Sequence, residues 1–394
     1  MPSLLSIGRV LDKALASVSS VEEVQNSLVH HTLKLTSLLH ESAKRSIRER
    51  ASLHNSSSWL LPPELTIKLD TKSLMQAMAC CNMFHKCAKD PASYSHINLT
   101  SARKVDDGVV STLINRAGKE LRFLEIGHVD GQSKSKTPHL LNGSCLAPLS
   151  HNHGFIGKYL RSLHLYDVRS ITDNLSIDSL SACSNITDLK MVGVYSPSEK
   201  LLKSLAVKCR FIEHLFFETY GSKGASRKDS SALAVLLTNL PSLTSLTLIN
   251  LRLRDATVQT LAKGSRKLKH LNLSRNSIVK GCFLRESGHC LQDSALETLI
   301  LRDCSSLEEK EVLQFFDSLL AENFRFIRHI DVSNSRGLLS DDGKRSCKPK
   351  FPLKKLKKER PDVKIVANFN PTLSRSQKRS QGNDAEVQIN EVGE

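Results

Sequence analysis

The 394-residue sequence has a single tryptophan, no Cys-x-x-Cys pair, and no apolar run near the ~18 residues that a membrane span needs. Its N-terminus lacks the compact apolar stretch of a secretory signal. An intracellular protein of the nucleus, the cytoplasm or both is therefore expected, with no membrane partner. Ten cysteines (80, 81, 87, 145, 183, 209, 282, 290, 304 and 347) are scattered along the chain without zinc-type spacing. In a reducing compartment they are expected to be free and to pack as small hydrophobes. His151 and His153 have no third ligand at useful spacing, so no metal is expected. There is no Gly-rich phosphate loop, no nucleophile motif and no carboxylate pair at catalytic spacing. A non-catalytic protein without a cofactor is expected. Net charge is +16, yet ten basic residues against two acidic ones between Lys344 and Lys364 supply half of that excess. The charge is local and lacks interleaved aromatics, so a nucleic-acid partner is not expected.

What the sequence has in abundance is one six-residue skeleton, apolar-x-x-apolar-x-apolar. It occurs as LRFLEI at Leu121, LRSLHL at Leu160, ITDLKM at Ile186, IEHLFF at Ile212, LTSLTL at Leu243, LKHLNL at Leu268, LETLIL at Leu296 and IRHIDV at Ile327. The eight copies lie 39, 26, 26, 31, 25, 28 and 31 residues apart, the period of a strand and a return helix in leucine-rich repeats. Stretches of helical periodicity lie between them, as in Leu201, Leu202, Leu205 and Cys209, or Val312, Phe315, Phe316, Leu319 and Leu320. An α/β solenoid over 101–370 is predicted, a curved parallel sheet with helices outside, because each repeat buries its apolar face only against its neighbours. Asn276, after the copy at Leu268, suits a buried turn where its amide satisfies backbone groups, and Cys304 holds the equivalent place one repeat later. Gly, Ser, Pro and Asn dominate 131–154 and predict a loop insertion; GSKGASRKDSS from Gly221 predicts another loop. From Leu353, a basic helix, a stop at Pro361 and the alternating Val363, Ile365 and Ala367 predict a final helix and edge strand capping the array. The same lysines also resemble a nuclear localisation segment.

Upstream, residues 1–58 read as a helical extension, with a Ser-x-x-Glu start signal at Ser20 and Glu23. Residues 371–394 are polar and aperiodic, so a disordered tail is predicted. Residues 59–100 have a different texture. LPPEL opens at Leu61, LDTKSL follows at Leu69, Ala-Cys-Cys-x-x-Phe ends at Phe84, and Tyr94-x-x-Ile97-x-Leu99 closes the segment. Leu74, Met78 and Cys81 share one helical face. This segment resembles the F-box, and the whole chain is similar to plant F-box/leucine-rich-repeat proteins of the Skp-interacting-partner group. The resemblance implies a substrate receptor of an SCF-type cullin-RING ubiquitin ligase. Its F-box would dock a Skp-family adaptor, and through it a cullin, using Leu61, Pro62, Pro63, Leu65, Leu69, Leu74, Met78, Cys81 and Phe84. Only Thr-Ile-Lys separates Leu65 from Leu69, roughly four residues fewer than the F-box pattern, or about one helical turn. The alternative reading is a leucine-rich-repeat interaction scaffold whose degenerate F-box does not bind the adaptor.

Alternation along the strands turns the fourth and sixth residues of each copy inward and exposes the third and fifth on the concave face. One predicted column runs Glu125, His164, Lys190, Phe216, Thr247, Asn272, Ile300, Asp331. Its neighbour runs Phe123, Ser162, Asp188, His214, Ser245, His270, Thr298, His329. At ~4.8 Å per strand each column spans roughly 34 Å, a size suited to a protein. Glu125, His164, Lys190, His214, Phe216, His270, Asn272, His329 and Asp331 are the candidate target-binding residues.

Overall fold

The structure is a computed structural model that describes residues 71–80, 85–86, 88–102, 105–128, 141–194, 197–219, 227–264, 267–286 and 295–369, with 36–37 and 41. The chain divides into two compact units, Met1–Leu60 and Leu61–Glu394. The predicted tail, and all of the predicted N-terminal extension but 36–37 and 41, lie outside the described residues.

Within the second unit, ten strands of the described residues form one parallel sheet in chain order. They are β1 (His96–Asn98), β2 (Phe123–Gly127), β3 (Ser162–Tyr166), β4 (Asp188–Val194), β5 (His214–Thr219), β6 (Ser245–Ile249), β7 (His270–Asn272), β8 (Thr298–Ile300), β9 (His329–Asp331) and β12 (Lys364–Val366). All eight predicted strands are present. The sheet is longer than the eight copies by one strand at each end. At the start, β1 pairs in register with β2, so the sheet begins at His96, inside the span assigned to the F-box-like segment. Ile97 and Leu99 spell the same inward alternation as Leu124 and Ile126, and all four are buried. At the other end β12 pairs with β9, following helix α9 (Leu353–Glu359) as the sequence predicts. Of that helix only Leu356 is buried, so its lysines stand on the outside. A short hairpin, β10 (Leu338–Leu339) with β11 (Arg345–Ser346), was not anticipated; Gly343, at φ 76°, lies in its connection.

The return helices bury the predicted faces. Helix α4 (Glu199–Lys208) starts at Ser198, whose hydroxyl accepts from the Leu201 N–H, and buries Leu201, Leu202 and Leu205. Helix α5 (Arg227–Thr238) buries Leu233, Leu236 and Leu237; α6 (Asp255–Gly264) buries Val258 and Leu261. Helix α7 (Cys282–Glu286) buries Phe283 and Leu284, and α8 (Glu309–Leu320) buries Val312, Phe315, Phe316 and Leu319. Strand and helix side chains meet in one continuous core. At about 1.5–3 kcal/mol per buried aliphatic or phenyl side chain, this core is what holds successive repeats together.

Two loop predictions need correction. Residues 131–140 lie outside the described residues, but the second part of the expected insertion is packed structure. A 3₁₀ turn at Gly143–Leu149 buries Cys145, Leu146 and Leu149 against helices α2 (Asp107–Ala117) and α3 (Asn174–Ser181). Ser111 Oγ donates to the Cys145 carbonyl at 3.0 Å, and Gly143 N–H to the Arg169 carbonyl at 2.7 Å. The apolar residues Leu141, Cys145, Leu146 and Leu149 decide the outcome over the surrounding Gly, Ser and Pro. In the second case, α5 already begins at Arg227, inside the loop predicted from Gly221.

Buried thiols recur through the repeats. Cys145, Cys183, Cys209 and Cys304 are buried, whereas Cys80 and Cys347 are exposed. Burial pushes the thiols of Cys145, Cys209 and Cys304 up to about 12 and raises that of Cys183 as well. Iodoacetamide at pH 8 is therefore expected to label Cys80 and Cys347 in the native protein and to spare the other four until denaturant is added. Peptide mapping by mass spectrometry reads this directly, and native labelling of Cys304 at the rate of Cys347 would contradict it.

Candidate functional site

The sheet has one face covered by helices and one open face. Both predicted columns appear on the open face in unbroken register. Glu125, His164, Lys190, Phe216, Thr247, Asn272, Ile300 and Asp331 are successive partners across β2 to β9. Phe123, Ser162, Asp188, His214, Ser245, His270, Thr298 and His329 form the second series. Asn98 and Val366 extend the first, and His96 and Lys364 extend the second. Ten strands at ~4.8 Å give columns about 40 Å long.

The side chains interlock most at β1–β5. His164 Nε2 lies 2.8 Å from Asp188 Oδ2, and its Nδ1 lies 3.8 Å from Glu125 Oε1. Glu125 also accepts from Asn98 Nδ2 at 2.6 Å and from the Tyr166 hydroxyl at 3.0 Å. Ser162 Oγ donates to Asp188 Oδ2 at 3.1 Å. Burial works to raise the Asp188 carboxyl, but the hydrogen bonds and charge of His164, with Ser162 and His214, hold it below its ordinary value. Burial raises the Tyr166 hydroxyl, and its bond to the Glu125 carboxylate raises it further. Lys190 lies over two rings, 5.1 Å from the centre of Tyr166 and 4.8 Å from that of Phe216. Phe123 meets His164 edge-on at 5.3 Å. Gly127 ends β2 at φ 99°, and a Cβ there would stand 1.7 Å from the Tyr166 carbonyl oxygen, so the close approach of β2 to β3 requires glycine.

Ser162, His164 and Asp188 touch one another without forming a catalytic relay. Serine and aspartate both approach the same imidazole atom, Nε2, at 3.2 and 2.8 Å. A relay needs serine at one nitrogen and a hydrogen-bonded carboxylate at the other, and Glu125, on the Nδ1 side, stands 3.8 Å away, beyond hydrogen-bond reach.

Farther along, Asn272 Oδ1 caps the Ser274 N–H, and Asp331 Oδ1 caps the Ser333 N–H, so both side chains are partly occupied by their own turns. His270 and His329 are separated by β8. Burial lowers both; the neighbouring His329 lowers His270 further, while at His329 the opposing pulls of Asp331 and Lys364 are smaller. A histidine whose folded pKa is depressed contributes stability that is complete above its unfolded value, ~6.5, and lost as pH falls through the folded value. Thermal stability is accordingly expected to decline from pH 7 to pH 5, and less steeply in a His270→Asn/His329→Asn double variant. Parallel slopes for the two proteins would refute that assignment.

Of the predicted adaptor-docking residues, Leu61, Pro62, Pro63, Leu65, Leu69, Cys81 and Phe84 lie outside the described residues. Helix α1 (Thr71–Cys80) carries the other two. Leu74 is only 1% exposed, so it is a packing residue rather than part of a surface. Met78 is half-buried, with the Tyr94 hydroxyl 3.6 Å from its sulfur. Thr71 Oγ1 accepts from the Asn98 N–H at 3.1 Å and ties α1 to β1. Sequence reasoning missed His96, Asn98, Tyr166 and Glu218 on the open face. The first two flank Ile97 as Phe123 and Glu125 flank Leu124, which was a readable signal. Tyr166 and Glu218 lie two places beyond a column that the six-residue skeleton defines, and no pattern in the skeleton points to them.

A parallel sheet with one helix-covered face and a 25–39-residue period defines a leucine-rich-repeat protein. No family model matches the sequence. The F-box protein SKIP17 of Arabidopsis thaliana is 57% identical over 352 residues, which cover 87% of this chain and 73% of that protein. The F-box protein At4g02760, also from Arabidopsis thaliana, is 52% identical over 384 residues, 94% of this chain and 75% of its relative. The chain belongs to the plant F-box proteins. Among solved structures, the yeast Rad7 and Elc1 complex contributes a match at 13% identity over 91% of this chain and 95% of that one, with a TM-score of 0.36, too low to bear on the architecture.

Proposed function

We propose that this F-box protein is the target-recognition subunit of an SCF-type cullin-RING ubiquitin ligase and is itself non-catalytic. The F-box segment docks a Skp-family adaptor through Leu61, Pro62, Pro63, Leu65, Leu69, Met78, Cys81 and Phe84, and the adaptor joins it to a cullin. Leu74 serves that surface indirectly, by anchoring α1 to the first strand. The open face of the sheet holds the target protein. The observation that carries the reading is the joining of α1 and β1, within the F-box-like segment, to a sheet whose open face is about 40 Å long. Protein-sized recognition suits such a face.

Size-exclusion chromatography of the full chain with a Skp adaptor and a cullin tests the proposal. Co-elution of all three is expected, with the cullin retained only when the adaptor is present. Elution of the folded chain apart from the adaptor would return the reading to an interaction scaffold.

A further inference from the structure

The open face is not uniform. Its Phe and Tyr rings are Phe123, Tyr166 and Phe216, all on β2 to β5. From β6 to β9 the two columns hold Ser245, Thr247, His270, Asn272, Thr298, Ile300, His329 and Asp331, with no Phe, Tyr or Trp among them. Binding energy in protein interfaces concentrates on aromatic anchors near the centre of the contact. The centre of recognition therefore belongs at β2–β5.

Charge on this face also runs against the rest of the chain. In a sequence of net charge +16 the two columns hold three carboxylates, Glu125, Asp188 and Asp331, against two ammonium groups, Lys190 and Lys364, with Glu218 beside them. Glu218 is paired with Arg275 at 3.3 Å, and Asp331 is taken up by its own turn. Glu125 and Asp188 differ from these. Among the described residues neither pairs with a lysine or an arginine; Asn98 and Tyr166 orient Glu125, and His164 and Ser162 orient Asp188. The imidazole of His164 stands 2.8 Å from Asp188 Oδ2 and 3.8 Å from Glu125 Oε1, so both carboxylates belong to one neighbourhood of the face. The nearest cation in the columns, Lys190, is drawn over the rings of Tyr166 and Phe216.

We infer that the open face recognises a target segment by a basic side chain, arginine above all, set against the Glu125 and Asp188 carboxylates beside His164, with a neighbouring apolar side chain of the target against Phe123. The inference rests on the receptor reading and deepens it by naming the chemistry of the target. The two carboxylates are already oriented, so the incoming cation finds its acceptors preorganised. Part of their charge is exposed to solvent, 16% of the Glu125 side chain and 34% of the Asp188 side chain, so the attraction weakens as salt is added.

A display library of random twelve-residue peptides panned on the full chain tests this. Enrichment of arginine or lysine beside an apolar residue is expected. By fluorescence anisotropy, a Glu125→Gln/Asp188→Asn double variant with an unchanged melting temperature should bind a selected peptide at least tenfold more weakly. Thr298→Ala, on the far half of the face, should bind it as the native protein does. Selected peptides without basic residues, no enrichment at all, or full binding by the double variant would each overturn the inference. Titrating the same preparations with adaptor separates the two readings. Basic peptides bound by a chain that does not take up adaptor would sink the receptor role alone, and adaptor bound without basic-peptide selection would sink this inference alone.

Discussion

Replacing Asn276 by alanine should cost about 3–5 kcal/mol, the largest loss expected from any single truncation of a polar side chain in the repeats. Asn276 is fully buried after β7. Its Nδ2 donates to the carbonyls of Leu248 at 2.6 Å and Leu273 at 2.8 Å, and its Oδ1 accepts from the N–H groups of Leu251 at 2.9 Å and Leu253 at 3.4 Å. These groups belong to two successive coils, and with the side chain gone they have no water to turn to. Each buried orphan costs roughly 1–3 kcal/mol, partly relieved by relaxation. The melting temperature should fall by about 6–10 °C for a unit of this size. Asn276→Asp should be at least as damaging, because a carboxylate keeps the acceptor, loses both donors and buries a charge. Cys304 is the contrast. Its thiol donates to the Leu273 carbonyl at 3.1 Å and takes backbone hydrogen bonds from Asn276 and Arg275, all weak bonds to sulfur, so Cys304→Ala should cost only about 1 kcal/mol. Denaturant titration of the three variants checks the order, and a loss under about 1 kcal/mol for Asn276→Ala would show that the inter-coil network is not what holds the turn.

The second large effect concerns docking. A Leu61→Asp/Pro62→Asp variant should lose at least about thirtyfold in affinity for a Skp adaptor, the effect of removing an anchor worth about 2 kcal/mol or more. Its melting temperature should stay close to that of the native chain. Leu74→Ala should behave in the opposite way. Leu74 is buried in the core beside β1, so its truncation should cost about 2–5 kcal/mol of stability. Any loss of docking should then follow the loss of fold. If Leu74→Ala leaves stability untouched yet abolishes docking, Leu74 is an interface residue after all.

The architecture was readable because one short rule repeats. Leu124 and Ile126, Leu163 and Leu165, and their counterparts down to Ile330 and Val332 must all point inward, so alternation alone sets the two outward columns and their order. β1 was readable as a strand but was assigned to the preceding segment, since its flanking residues matched the F-box closure and pairing with β2 is not a local property. The buried turn at Gly143–Leu149 was hidden for the converse reason: composition suggested a loop, and the apolar residues within it were too few to form a visible period. The contacts of His164 with Asp188 and Glu125 are invisible in one dimension. They arise when strands 26 or more residues apart come into register, and nothing at His164 itself signals two carboxylate neighbours. The docking residues stand on the family resemblance, not on periodicity, and their surface is where the four-residue shortening after Leu65 bears.

Isothermal titration of the full chain into a purified Skp adaptor measures that surface directly. One-to-one binding with a sub-micromolar dissociation constant is predicted, abolished by Leu61→Asp/Pro62→Asp. No binding at ~10 µM by a chain that melts cooperatively would contradict the account and leave a leucine-rich-repeat scaffold whose F-box no longer docks.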